Sequence, residues 1–182
     1  MHKYIQSLQD LLAQLFWPRR AMLIGDQVQR RPGGRFGSLQ LVMARRHCRH
    51  YCFDLSGLDR RDRNDRLNLL LDKESPWPKA GHFVTWQGQH APAWLWPAER
   101  VERALEALNL APDTDLTCLP ESALLAPPST ADTQRVLTLA EGCEGQVWRN
   151  GVLQDSRWWP AKPAAAQWQA LLRAQSLVPG PA

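Results

Sequence analysis

Three groups of residues in this chain have types and spacings that could do chemistry. The run His47-Cys48-Arg49-His50-Tyr51-Cys52 puts Cys48, His50 and Cys52 at alternate positions. On a strand these share one face, with neighbours about 7 Å apart. Thiolates and imidazoles are zinc ligands, but three on one extended strand do not converge on an ion. The other cysteines, Cys118 and Cys143, bring no paired spacing, so a strand face with buried thiols is the expectation. Second, Ala140-Glu141-Gly142-Cys143-Glu144-Gly145 resembles an Asp-x-Gly-x-(Thr/Ser) phosphate turn. In such a turn the carboxylate manages a metal-bound water, while backbone N–H groups and a hydroxyl hold phosphate oxygens. Glu141 could imitate the Asp, but no hydroxyl follows, and Glu144 adds negative charge. No G-x-x-x-x-G-K-(S/T) loop exists elsewhere, so ATP turnover is not expected and the glycines are read as serving geometry. Third, Cys52 or Ser156 could act as a nucleophile, given a positioned base such as His82 or His90 and an orienting carboxylate. Nothing in the spacing brings these together, so no catalytic residue, metal ligand or cofactor-binding residue is assigned.

Charge leaves a different possibility. The net charge of +4 is concentrated at Arg30, Arg31 and Arg35, at Arg45, Arg46 and Arg49, and among the aspartates from Arg60 to Arg66. A basic face can meet nucleic acid, anionic lipid or an acidic partner, and a solvated arginine surface is the plainer expectation. Arg45, Arg46, Arg49 and Tyr51 are a weak version of the basic-and-aromatic pattern that single-stranded nucleic acid requires.

With 182 residues, 44% of them hydrophobic and 22% charged, the chain can bury a real core as one domain or two small lobes. No window approaches the roughly 20 apolar residues of a membrane span. The N-terminus alternates apolar residues with Gln, Ser and Asp and lacks the pattern of a signal peptide. A cytoplasmic protein with its four cysteines reduced is expected. Nine tryptophans include Trp94 and Trp96, at alternate positions of one strand, and the pair Trp158 and Trp159; core is their default place, with one exposed cluster at a partner surface conceivable.

The elements that must position these groups follow from periodicity. Residues 4–17 form an amphipathic helix ending at Pro18, and 31–35 a loop. Strands are expected over 39–44 and 47–55. The helix after Asp59 has Leu67, Leu70 and Leu71 on one stripe, acid at its front, and ends where Pro76 pushes Ser75 out of the helical region. Strands at 82–86 and 93–96 follow, then a helix over 98–110 with Val101, Leu105 and Leu108 inward, and a strand at 116–119. Residues 126–132 are a Pro/Ser/Thr linker. Beyond it, strands at 135–140, 146–149 and 152–156, the last two joined by the hairpin signal Asn150-Gly151, lead to a helix over 164–177.

Two stretches carry a family resemblance. Leu71-Asp72-Lys73 followed by Pro76-Trp77 and a short aromatic strand resembles the cytoplasmic domain of the L protein of type II secretion systems and related type IV pilus biogenesis proteins. Leu119-Pro120-Glu121-Ser122-Ala123-Leu124 and Val147-Trp148-Arg149-Asn150-Gly151 resemble two further motifs of that family. The order of elements matches from about Leu39 to Leu177. The resemblance implies an α+β protein of two lobes: 36–125 and, after the 126–132 linker, 133–178, the second actin/ribonuclease H-like with three antiparallel strands and then a helix. Residues 1–35 would precede them as helix and Arg/Gly-rich loop, and 179–182 follow as a tail, where the family usually continues into a transmembrane helix. It further implies a non-catalytic scaffold without a cofactor, at the cytoplasmic face of a bacterial inner membrane. Its partners would be the N-terminal domain of the secretion or pilus assembly ATPase, other inner-membrane platform proteins, and conceivably a second copy. Nucleic acid is not expected as a partner. The candidate partner-binding residues are Arg60, Arg61 and Arg63 at the start of the long helix and Trp77 at its end. Changing all three arginines to Glu should weaken binding to an acidic partner. The rival classes are a nucleic-acid-binding module using the arginines, and a small enzyme with an unrecognised site.

Overall fold

Residues 18–31 and 38–176 are described in the computed structural model of the protein. The helix expected over 4–17, loop residues 32–35 and the 179–182 tail lie outside them.

Part of the 1–35 segment expected as helix and loop is strand instead, for residues 19–31 open the first sheet. β1 (Arg19–Ile24) and β2 (Gln27–Arg31) form an antiparallel hairpin, turning at Gly25 with φ +57°. β3 (Leu39–Met43) lies parallel to β1, and β7 (Thr117–Pro120) lies parallel to β3. The order is β2-β1-β3-β7. β1 is a continuous apolar run, Ala21-Met22-Leu23, buried on both faces, as strands in parallel pairing are. It therefore lacks the alternation of a half-buried strand.

The second sheet has the antiparallel order β4-β6-β5, from β4 (Arg49–Asp54), β5 (Ala80–Val84) and β6 (His90–Pro97). β4 starts later than expected, because Arg45–His47 form a 3₁₀ turn, which takes Cys48 off the strand. α1 (Arg60–Glu74) begins at Asp59, whose Oδ1 accepts from the Arg61 and Asp62 N–H groups at 2.9 Å each. It ends at Ser75, before Pro76, and buries Leu67 and Leu71 against Phe53, Leu55 and Leu95. α2 (Ala98–Ala107) follows β6 and turns Leu105 and Leu108 inward.

The third sheet is β10-β9-β8, from β8 (Thr133–Thr138), β9 (Cys143–Arg149) and β10 (Val152–Trp159), followed by α3 (Ala165–Ser176). Asn150 and Gly151, at φ +51° and +75°, make the expected turn between β9 and β10. The α+β class and the unit of three antiparallel strands and then a helix are thus present. One core crosses both lobes: Trp148 and Leu153 join Leu41, Met43, Trp94 and Trp96. β10 lies against β4, and Trp94 and Trp96, 3% and 1% exposed, are core residues. Among the described residues, no helix is long and apolar enough to cross a membrane.

Candidate functional site

Two hairpin turns from different sheets face each other. One is the β1–β2 turn at Gly25; the other, at Glu141-Gly142, joins β8 to β9. Glu141 bridges them: one carboxylate oxygen accepts the Gly25 N–H at 2.9 Å, and the other accepts from Arg46 Nη1 at 2.9 Å. Burial pushes the Glu141 carboxyl up, but the Gly25 N–H, Arg46 and His47 outweigh it and hold it below its ordinary value. Trp158 Nε1 donates to the Glu141 carbonyl at 2.7 Å. Gly142 has φ +71°, and a Cβ there would stand 2.2 Å from the Trp159 carbonyl oxygen, so this glycine is fixed by turn geometry and close backbone approach. The Gly25 N–H of the facing turn is thus taken by a carboxylate of the chain itself.

Behind the turns lies a buried ion pair. Arg45, 3% exposed, donates from Nε to Glu144 Oε1 at 2.8 Å, and Glu144 is fully buried. Arg45 Nη2 also reaches the Ser156 carbonyl at 2.7 Å and its hydroxyl at 2.9 Å, and Nη1 reaches the Cys48 carbonyl. Glu144 accepts from the Ser122 hydroxyl at 2.8 Å, from Gln146 Nε2 at 3.0 Å, and from the Ser156 hydroxyl. The network continues through Gln146 Oε1 to Trp148 Nε1 at 3.0 Å and Arg135 Nε at 2.8 Å. It ties the turns after β3 and β7 to β8, β9 and β10, so it is a polar seam between the lobes.

The structure separates the other sequence-derived candidates. Among the described residues no group of three His, Cys, Asp or Glu side chains is placed to hold a metal. Burial pushes the Cys48 thiol up to about 12, and burial with Asp54 and Asp155 does the same to Cys52, which keeps both protonated at neutral pH. Ser156 is engaged in the seam. His90 stands 3.9 Å from Asp54, and no hydrogen bond links His82 or His90 to Cys52 or Ser156 among the described residues. The His50 ring meets Trp94 edge-on with centroids 5.0 Å apart, and neither of its shielded nitrogens has a partner among the described residues. The basic cluster is dispersed: Arg45 is buried, Arg46 is exposed but paired with Glu141, Tyr51 donates its hydroxyl to the Glu74 carbonyl at 2.9 Å, and Arg49 is exposed.

The candidate partner residues divide as well. Arg60 and Arg63 line a groove of about 520 Å³ with Asn64, Trp86 and Gly88. Arg61 is exposed but outside it. Trp77 lies at the other end of α1, about 20 Å away by helix rise, half-buried against the core of α1 and β6. The exposed tryptophan beside the arginines is Trp86, 45% exposed.

No family model matches this sequence, and no curated protein matches it at a significant level. Its structure, however, has a counterpart. The chain is similar in fold to the cytoplasmic domain of EpsL, an inner membrane component of the type II secretion system of Vibrio cholerae. The TM-score is 0.54 at 14% identity, over 89% of this chain and 76% of that one. A Bacteroides thetaiotaomicron protein of unknown function, described as having an actin-like ATPase fold, aligns at a TM-score of 0.48 and 7% identity, over 92% of this chain and 79% of that one. The EpsL likeness is one of fold.

Sequence reasoning missed the Arg45–Glu144 pair and Trp86. A buried arginine inside an arginine run has no local signature. For Trp86 a signal existed: Gln87 to His90 is a tight turn with Gly88 at φ +67°, and a tryptophan just ahead of such a turn is well placed to stand clear of the sheet.

Proposed function

We propose that this chain is a non-catalytic docking domain of a bacterial secretion or pilus assembly machine. Its role would be to hold the N-terminal domain of the assembly ATPase near the cytoplasmic face of the inner membrane. The EpsL-like fold supports the machine. The observation that carries the non-catalytic part is the Glu141 bridge: its carboxylate takes the Gly25 N–H and Arg46 across the gap where two facing turns could otherwise grip a phosphate. A nucleotide would have to displace that carboxylate and accept its charge nearby, which is electrostatically unfavourable.

Calorimetric titration with the N-terminal domain of the source organism's assembly ATPase, and separately with Mg-ATP, tests this reading. Saturable binding of micromolar strength or better, with no heat from Mg-ATP, is the expected result. Mg-ATP binding without partner binding would overturn it and make the Glu141 turn a nucleotide site.

A further inference from the structure

We infer that the groove between the first turns of α1 and the β5–β6 turn receives an acidic segment of a partner protein, with an apolar side chain of that segment laid on Trp86. This rests on the docking reading above and gives it a surface and a partner chemistry.

Trp86 is large, exposed and held in place. The Thr85 N–H donates to the Pro92 carbonyl at 3.0 Å, and Gln87 and His90 exchange backbone hydrogen bonds at 2.9 and 3.1 Å. The Gln87 side chain accepts the Leu153 N–H at 2.8 Å, which anchors the turn to β10. An aromatic ring on backbone already ordered costs little further entropy when a partner covers it. Trp and Arg are also the residue types that most often dominate binding energy at interfaces.

The charge beside it is cationic and unspent. From residue 60 to 66 the helix carries four arginines against two aspartates. The Asp59 carboxylate is committed to capping N–H groups. Arg63 uses Nε on the Leu58 carbonyl at 2.7 Å, and its terminal nitrogens have no partner among the described residues. Arginine in the first turn of a helix opposes the helix dipole, so the local preference is broken here, as it tends to be where function decides. The groove is concave, and Asp62 and Asp65 stand on the same turns. A flat anionic membrane would meet those aspartates along with the arginines, whereas a peptide can thread its carboxylates to Arg60 and Arg63 alone. An acidic protein segment is therefore the favoured occupant.

The test measures binding of the assembly ATPase N-terminal domain to the wild-type chain and to Trp86→Ala, Arg60→Glu and Arg61→Glu. Sedimentation with phosphatidylglycerol–cardiolipin vesicles and thermal unfolding are run on each. Trp86→Ala and Arg60→Glu should each weaken partner binding about tenfold or more while remaining folded. Arg61→Glu should leave it unchanged, and vesicle binding should not depend on the groove. Wild-type binding that neither groove variant alters would overturn the inference and leave the docking reading standing. No wild-type binding would fail the docking reading and the groove with it. Vesicle binding lost in the groove variants would replace the protein partner with a membrane.

Discussion

Arg45 and Arg60 carry the same guanidinium to opposite ends. Arg45 is 3% exposed and has four hydrogen-bond acceptors around it, from a carboxylate, a hydroxyl and two carbonyls. Arg60 stands in solvent at the mouth of a groove. In the seam each guanidinium nitrogen of Arg45 donates to a buried acceptor and the arginine is structural; at the groove the Arg60 donors have no partner among the described residues. Residue type is common to both, so what separates structure from candidate function is whether the surrounding chain already supplies the partner. The same contrast separates Glu141, already engaged by Gly25 and Arg46, from a carboxylate free to serve a metal.

The largest expected effect comes from breaking the seam. Arg45→Met leaves Glu144 buried without its counter-charge, and should cost about 3–5 kcal/mol. Replacing both residues, Arg45→Met with Glu144→Met, removes the stranded charge and should recover most of that loss. Urea denaturation of the two variants checks this. Equal losses would mean that the hydrogen bonds of Ser122, Gln146 and Ser156, rather than charge, dominate the seam.

A smaller effect lies beside it, at His50. Burial first, and then Arg45, lower its pKa well below 6.5. In acid the unfolded chain takes up a proton that the folded chain refuses. The contribution is therefore fully present above pH 6.5 and is lost progressively as pH falls below it. His50→Leu removes that loss and two unpartnered nitrogens, at the cost of the ring contact with Trp94. It should stabilise the neutral protein by about 1 kcal/mol net and flatten the stability profile between pH 6.5 and 5. Some slope should remain, because His47 is also lowered, by burial and then Arg100 and Arg46. A wild-type profile flat through this range would show that burial of His50 does not oppose its protonation.

Local signals and long-range ones fared differently in the sequence. The Asn150-Gly151 turn, the Asp59 cap and the Pro76 stop are decided within a few residues, and each sits where periodicity and turn chemistry place it. β1 was hidden because burial on both faces erases alternation, and because its first two residues, Arg19 and Arg20, look like surface. The Arg45–Glu144 pair joins residues 99 apart, and nothing near either one announces the other. Trp77 and Trp86 lie at comparable strand and helix ends. Which of them is covered depends on how α1 and the Trp77 corner settle against β6, a matter of packing that no nearby residue encodes.

The smallest expected effect inverts the usual order of damage. Arg60 and Arg61 occupy the first turn of α1, where the unsatisfied N–H groups already carry partial positive charge. Changing either to Glu replaces a repulsive interaction with an attractive one and should raise stability by about 0.3–1 kcal/mol, less at high salt. Arg61→Glu should gain that stability with no loss of partner binding, since it lies outside the groove. Arg60→Glu should gain the same stability and lose binding. A more stable protein that no longer docks would mean the arginine was kept against the preference of its own helix. If thermal unfolding instead shows Arg60→Glu to be destabilising, Arg60 has a structural partner in solution, and the contrast with Arg45 collapses.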